Sequence, residues 1–188
     1  MGRRAPEEGH SLSTRGTILY RQQEGKENPR SILGKRHYED RRAREQAMSR
    51  NDPYDLQRFV EAQSGLYEQV CQELQEGRKR SHWMWFIFPQ LKGLGNSAMA
   101  ERYGISSAAE AEAYLAHAVL GTRLRHCTER VMAVKGRSAE QIFGFPDDLK
   151  LRSSMTLFAS LEAEGSIFSD ALKKYFGGKS DRLTIERL

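Results

Sequence analysis

The sequence predicts an all-α fold: a compact array of about six helices around a buried aromatic central segment, preceded by a disordered N-terminal tail. Three observations carry this expectation. Apolar residues recur at helical spacing over several capped segments, and no stretch alternates convincingly with a period of two. All 8 Phe and both Trp lie at or beyond Phe59. Large apolar residues stand in one unbroken run, Trp83-Met84-Trp85-Phe86-Ile87-Phe88, closed by Pro89. No single face of a helix or strand holds so many consecutive side chains. The run therefore belongs in the interior, as a helix threading the middle of the array.

The first element in chain order is the tail. Residues 1–50 contain neither Phe nor Trp and are rich in Arg, Glu, Gln, Gly and Ser. They hold 12 Lys+Arg against 7 Asp+Glu, whereas residues 51–188 hold 18 of each, so the whole net charge of +5 sits in the tail. So polar a segment buries too little apolar surface to offset the ~1–2 kcal/mol per residue that ordering a backbone costs. Lys35-Arg36 and Arg41-Arg42-Ala43-Arg44 have the form of a two-part nuclear import signal or a phosphate-contacting patch. Glu39 and Asp40 interrupt them, as in an ordinary solvated charge cluster. Lys26-Glu27-Asn28, with Arg30 and Leu33, has the pattern of short degradation signals.

The helical domain is expected over residues 51–188. Asn51 or Asp52 can cap the first helix, and Pro53 suits its first turn. Leu56, Phe59, Val60, Gln63, Tyr67, Val70 and Leu74 continue it to a stop at Gly77. Ser107 with Glu110 reads as a capping box before Ala108, Ala111 and Leu115. Leu120, Leu124, Cys127, Val131 and Val134 share the next apolar face, which ends near Gly136. Ser138 and Gln141 open a short turn of helix. Asp147 and Asp148 begin a helix presenting Leu151, Met155 and Phe158, with the acids at the positive end of its dipole. Phe168, Ala171, Leu172, Tyr175 and Phe176 form the last helix, before Gly177-Gly178.

Lys79-Arg80-Ser81-His82-Trp83-Met84-Trp85-Phe86-Ile87-Phe88-Pro89-Gln90, with Asp55-Leu56-Gln57-Arg58-Phe59 before it and Gly93-Leu94-Gly95 after it, resembles the domain-of-unknown-function family numbered 1810. Bacterial members of that family often bear the automatic label calpastatin. Further matches are His117 with Val119-Leu120-Gly121, Arg123-Leu124, Ile142-Phe143-Gly144, Asp147-Asp148-Leu149-Lys150-Leu151, and Ser153-Ser154-Met155-Thr156-Leu157-Phe158. The resemblance covers about residues 52–178. It implies a small, mostly α-helical domain and no established activity. Where the family has a His-Pro pair, this chain has His117-Ala118.

Chemistry is expected in two clusters. The first is the polar lip of the aromatic run: Arg80 and His82 beside Trp83 and Trp85, then Gln90 past the proline. A guanidinium takes phosphate and an indole stacks on a base, so this pattern suits an anionic, planar ligand. His82 is placed to act as acid or base near neutral pH. The same residues also fit a purely structural motif with both tryptophans in the core. The second cluster is Asp147-Asp148, Lys150, Ser153, Ser154 and Thr156, with carboxylates for metal or acid/base work and hydroxyls for a nucleophile. It reads equally as a helix start. Hydroxyls buried on an apolar helix are costly without partners, so backbone, water, His82 or a ligand must meet them.

Other classes find no support. No run approaches the roughly 20 apolar residues of a membrane span, and no apolar core follows the charged N-terminus as in a secretory signal. Cys71 and Cys127 are too few for a disulfide framework or a four-thiolate zinc site, and look like intracellular thiols. His126 beside Cys127 is poorly placed as a catalytic pair, since adjacent helical residues point about 100° apart. There is no Walker loop, dinucleotide fingerprint or zinc spacing. The expectation is a cytoplasmic protein, or a nuclear one if the tail addresses it there, with no cofactor, metal or membrane contact.

Three functional readings follow, in this order. One is a ligand-binding or regulatory module for an anionic, nucleotide-like molecule, using Arg80, Trp83, Trp85, Gln90, His117 and Lys150. Another is a small enzyme on such a ligand, with His82 as acid/base and Asp148 or Ser154 assisting. The last is a scaffold whose partner contacts, including weak non-specific nucleic-acid contact, run through the tail.

Overall fold

The computed structural model describes residues 52–188. The tail expected over residues 1–50, with its import and degradation motifs and the scaffold reading built on it, lies outside the described residues. Among the described residues there are ten helical segments and no strand: α1 (Gln57–Gln63), α2 (Tyr67–Gln75), α3 (Met84–Ile87), α4 (Ala98–Tyr103), α5 (Ala108–Ala116), α6 (Leu120–Ala133), α7 (Ala139–Phe143), α8 (Asp147–Ala159), α9 (Ile167–Phe176) and α10 (Arg182–Ile185). The all-α expectation holds. The count rises from about six to ten for three reasons. The first expected helix divides into α1 and α2, and the short segments at 84–87 and 139–143 stand as helices of their own. In addition, α4 and α10, of 6 and 4 residues, are too short to show a period.

Local chemistry accounts for most boundaries. Asp52 enters α1: its carboxylate accepts from the N–H of Leu56 at 2.8 Å and of Gln57 at 2.9 Å. The run expected to continue to Gly77 breaks in two, because Gly65 turns the chain at φ +78 between α1 and α2. Ser107 caps α5 through Glu110 N at 3.2 Å, but the box stays open. The Glu110 carboxylate turns instead to Ser106 and Arg58. Ser138 and Gln141 close a complete box on α7. Gly177 ends α9 in the left-handed conformation.

Packing centres on α8, which lies against α9, α7, α10, α5 and α3, while α2, α5 and α9 pack on α6. The aromatic centre is closed: Trp83 is 1% exposed, and Phe59, Phe158, Phe168 and Tyr114 are fully buried. Tyr114 meets the Phe59 ring edge-on at 5.0 Å and Phe158 at a tilt at 5.6 Å, with Phe168 tilted against Phe158 at 5.7 Å. Burial of each such side chain contributes about 1.5–3 kcal/mol.

The central segment differs from the continuous helix expected of it. Residues 84–87 make one helical turn, and Phe88 leaves it at φ −119, ψ 70. Pro89 explains this, since proline's ring disfavours the helical conformation in the residue before it. The extended chain then makes an isolated parallel bridge, Leu91 to Ile105, with Gln90 O accepting from Ile105 N at 2.9 Å. Of the run 83–88, only Trp85 keeps partial exposure.

Candidate functional site

Trp85 reaches the surface because its neighbours are held from below. The Phe86 carbonyl accepts from Gln63 Nε2 at 2.7 Å and from the Tyr114 hydroxyl at 3.2 Å, which anchors α3 to α1 and α5. On the other side, Glu73 of α2 organises the loop that enters α3. Its Oε2 accepts from Arg80 N at 2.8 Å, Ser81 N at 3.1 Å and the Trp83 indole at 2.8 Å, and its Oε1 accepts from the Ser81 hydroxyl at 2.6 Å. Burial opposes a charge on Glu73, but these donors prevail and bring its carboxyl from 4.5 to about 2. Glu73 was not among the expected site residues. Its signal in the sequence is an acid beside Val70, Cys71 and Leu74 on an apolar face, where a lone Glu is rarely buried unpaired.

The loop delivers Lys79 to the first turn of α8. Lys79 Nζ lies 2.6 Å from Asp147 Oδ2, and Lys150 Nζ lies 2.6 Å from Asp147 Oδ1. Each ammonium also faces an indole: Lys79 is 5.2 Å from the Trp83 ring centroid and Lys150 4.5 Å from that of Trp85. Burial works against the Asp147 carboxylate, yet the hydrogen bonds from Lys150 and Lys79 hold it below the usual carboxylate range. Phe145, two positions before Asp147, is 77% exposed, and Leu149, two positions after it in the first turn of α8, is exposed. Lys79, Asp147, Lys150 and Trp85 thus form a partly buried lip in which cations, one anion and aromatic planes touch.

Several expected residues lie elsewhere. Arg80 sends its guanidinium into solvent, paired with Glu76, and His82 is exposed. Gln90 is buried beneath the turn at Gly95. His117 caps α6: its Nδ1 accepts from Val119 N at 3.2 Å and Leu120 N at 3.3 Å. Asp148 and Ser154 are six residues apart on α8, so they point about 120° apart around its axis. Among the described residues no hydrogen bond joins His82 to either, and Arg80, His82, Asp148 and Ser154 do not converge. Ser153 and Thr156 are satisfied by the carbonyls of Leu149 and Arg152. Among the described residues, the fully buried Ser154 hydroxyl has no hydrogen-bond partner, nor has Asp148 Oδ1. His126 and Cys127 diverge as their adjacency requires. His126 bonds Tyr67 and Arg130, while burial pushes the Cys127 thiol up.

A concavity of about 460 Å³ opens between the entry to α1 and the α4–α5 region. Arg58 lines it, with every N–H engaged. Nε donates to Arg102 O, NH1 to the carbonyls of Tyr54 and Asp55, and NH2 to Gly104 O and Glu110. Glu110 is saturated in turn by Ser106 N at 2.8 Å and the Ser106 hydroxyl. This pair ties the entry of α1 to the α4–α5 region and leaves Arg58 no free donor for a ligand, while Lys92 and Arg102 also line the concavity.

Residues 53–188 match the family described as a protein of unknown function, DUF1810. The chain belongs to the DUF1810 family. The match covers the whole lip, from Lys79 to Lys150. The DUF1810 domain is also similar to the crystal structure of the conserved hypothetical protein Rv1873 from Mycobacterium tuberculosis. The identity is 59%, over 73% of this chain and 98% of that one, with a TM-score of 0.72. No curated protein matches the chain. Both descriptions leave the activity of DUF1810 proteins unassigned. Among the described residues no helix is long and apolar enough to cross a membrane.

Proposed function

We propose that this DUF1810 protein is a ligand-binding or regulatory module that recognises an anionic, nucleotide-like molecule at the lip of Trp85 and the first turns of α8. The observation that supports it is Lys150. Its ammonium rests 4.5 Å from the centroid of a half-buried tryptophan ring, and an exposed aromatic, Phe145, stands two positions before Asp147 in the chain. Lys79 and Lys150 against Asp147 leave one excess positive charge at the lip. A phosphoryl group seeks such donors, and a planar base seeks the adjoining apolar faces. Asp148, 200° around α8 from Lys150, lies away from this face.

Thermal unfolding of the full chain against a panel of nucleotides and sugar phosphates tests the proposal. A ligand at 100 times its Kd stabilises the folded state by about 2.7 kcal/mol. That stabilisation should vanish in Lys150→Gln and Phe145→Ala, both of which should retain the helical spectrum. A wild type stabilised by no member of the panel, or a shift that survives both substitutions, would overturn it.

A further inference from the structure

We propose that Cys71 and Cys127 form a redox modification site: hydrogen peroxide oxidises Cys71 to a sulfenic acid, which Cys127 converts to a reversible disulfide between α2 and α6. The proposal does not depend on the ligand reading above.

The packing of α2 on α6 brings the two thiols together. Bonds between the helices set the register. The Tyr67 hydroxyl meets His126 Nδ1 at 2.6 Å, and Arg130 reaches the Cys71 carbonyl at 3.5 Å and Gln75 Oε1 at 3.2 Å. Cys71 follows Tyr67 by one turn, and Cys127 stands between His126 and Arg130, so both enter the same interface. There the Cys127 thiol lies within hydrogen-bonding reach of Cys71. Cys71 is 6% exposed and Cys127 0%. The chain has 2 cysteines, so no other disulfide can form within it.

The surroundings set the two sulfurs apart. Arg130 Nε donates to His126 Nε2 at 3.1 Å, so His126 carries its proton on Nδ1 and donates it to the Tyr67 oxygen. The Tyr67 hydroxyl hydrogen is then left for the Cys71 sulfur, which lies within its reach. Burial pushes the Cys127 thiol up, so it keeps its proton and faces Cys71 as a second donor. Two donors thus converge on one sulfur. Two cations stand over the same place: Arg123, 4.4 Å from the Tyr67 ring centroid, and Arg130. Among the described residues they bond only neutral acceptors, namely Gln63, Gln75, His126 and the Cys71 carbonyl. No carboxylate neutralises them, and a thiolate is favoured beside such charge.

The steps balance. The Cys71 sulfur attacks one oxygen of the peroxide, the O–O bond breaks, and the departing hydroxide takes up the proton that Cys71 released. The Cys127 sulfur then attacks the sulfenic sulfur, the S–O bond breaks, and the hydroxyl leaves as water with the Cys127 proton. Two thiols are oxidised to one disulfide, and one peroxide is reduced to two waters. The bond joins α6 to α2, two residues before Glu73.

The test is peptide mass mapping of the full chain after exposure to dilute hydrogen peroxide. Native protein should yield linked peptides containing Cys71 and Cys127, lighter by two hydrogens and separated again by dithiothreitol. Because the fold holds the thiols together, the link should form about tenfold faster than in the same chain unfolded in urea. Cys127→Ser cannot close the disulfide, so with dimedone present it should accumulate a sulfenic adduct on Cys71. Cys71→Ser should accumulate none on Cys127. Should Cys127→Ser fail to fold, Cys127→Ala takes its place. A native chain that links no faster than the unfolded one overturns the proposal, as do disulfides formed only between molecules. An adduct on Cys127 in Cys71→Ser, or none on Cys71 in the Cys127 variants, overturns it as well.

Discussion

Replacing Glu73 by Gln should cost this protein on the order of 3 kcal/mol at neutral pH, and the loss should disappear in acid. The magnitude comes from the hydrogen bonds that converge on one buried carboxylate. Two backbone N–H groups, an indole and a hydroxyl lower its carboxyl from 4.5 to about 2, against the opposing effect of burial. A lowering of that size corresponds to about 3 kcal/mol of folding free energy. The sign follows from the direction. A carboxyl more acidic in the folded state than in the unfolded one binds its proton less readily when folded. Its contribution is therefore complete above about 4.5, declines as the pH falls, and is gone near 2. Gln keeps the shape but not the charge, so wild type and Glu73→Gln should differ by about 3 kcal/mol at pH 7 and converge toward pH 2. Urea unfolding at fixed ionic strength, followed by circular dichroism at several pH values, measures this difference while the other carboxylates titrate alike in both proteins. A gap that stays constant with pH, or one below about 1 kcal/mol at pH 7, would refute the account of Glu73 as a charged hub.

Other substitutions test the frame and the face behind the lip. Ser154→Ala should stabilise the fold by about 1 kcal/mol, a rise of a few degrees in Tm by calorimetry, because it removes a buried hydroxyl without a partner. A loss of stability would mean that the hydroxyl is bonded in solution. Gly121→Ala should destabilise by about 2 kcal/mol or more in urea, since a Cβ there would stand 2.0 Å from Leu115 O. An unchanged midpoint would show that α5 and α6 are free to move apart. His117→Ala should cost about 1 kcal/mol by exposing the first N–H groups of α6, and His117→Asn should recover most of it, as read from paired denaturation curves. If Ala and Asn behave alike, His117 is no cap.

The helical class, the caps at Ser107 and Ser138, and the buried aromatic run could be read from residues close together in the chain, whereas α1 begins only at Gln57, four residues after the Pro53 expected in its first turn. Periodicity and capping act within about one turn, and a run of adjacent large apolar residues has nowhere to go but the core. The motif of the family was legible for the same reason, as consecutive residues in order. Long-range partners were not. Lys79 meets Asp147 across 68 positions and Glu73 turns inward to the loop before α3, contacts that no local spacing encodes. Arg80 and His82 looked functional because they flank the tryptophans, yet adjacent residues diverge, and α2 claims Arg80 for Glu76. Asp148 and Ser154 looked like partners until the turn of α8 set them apart. Which side chains exist, and which helices they build, follows from local sterics and hydrophobic burial along the chain. Which of them meet at the lip depends on how α2, α3 and α8 pack, because charge pairs and hydrogen bonds are decided over a few ångströms of space irrespective of distance in sequence.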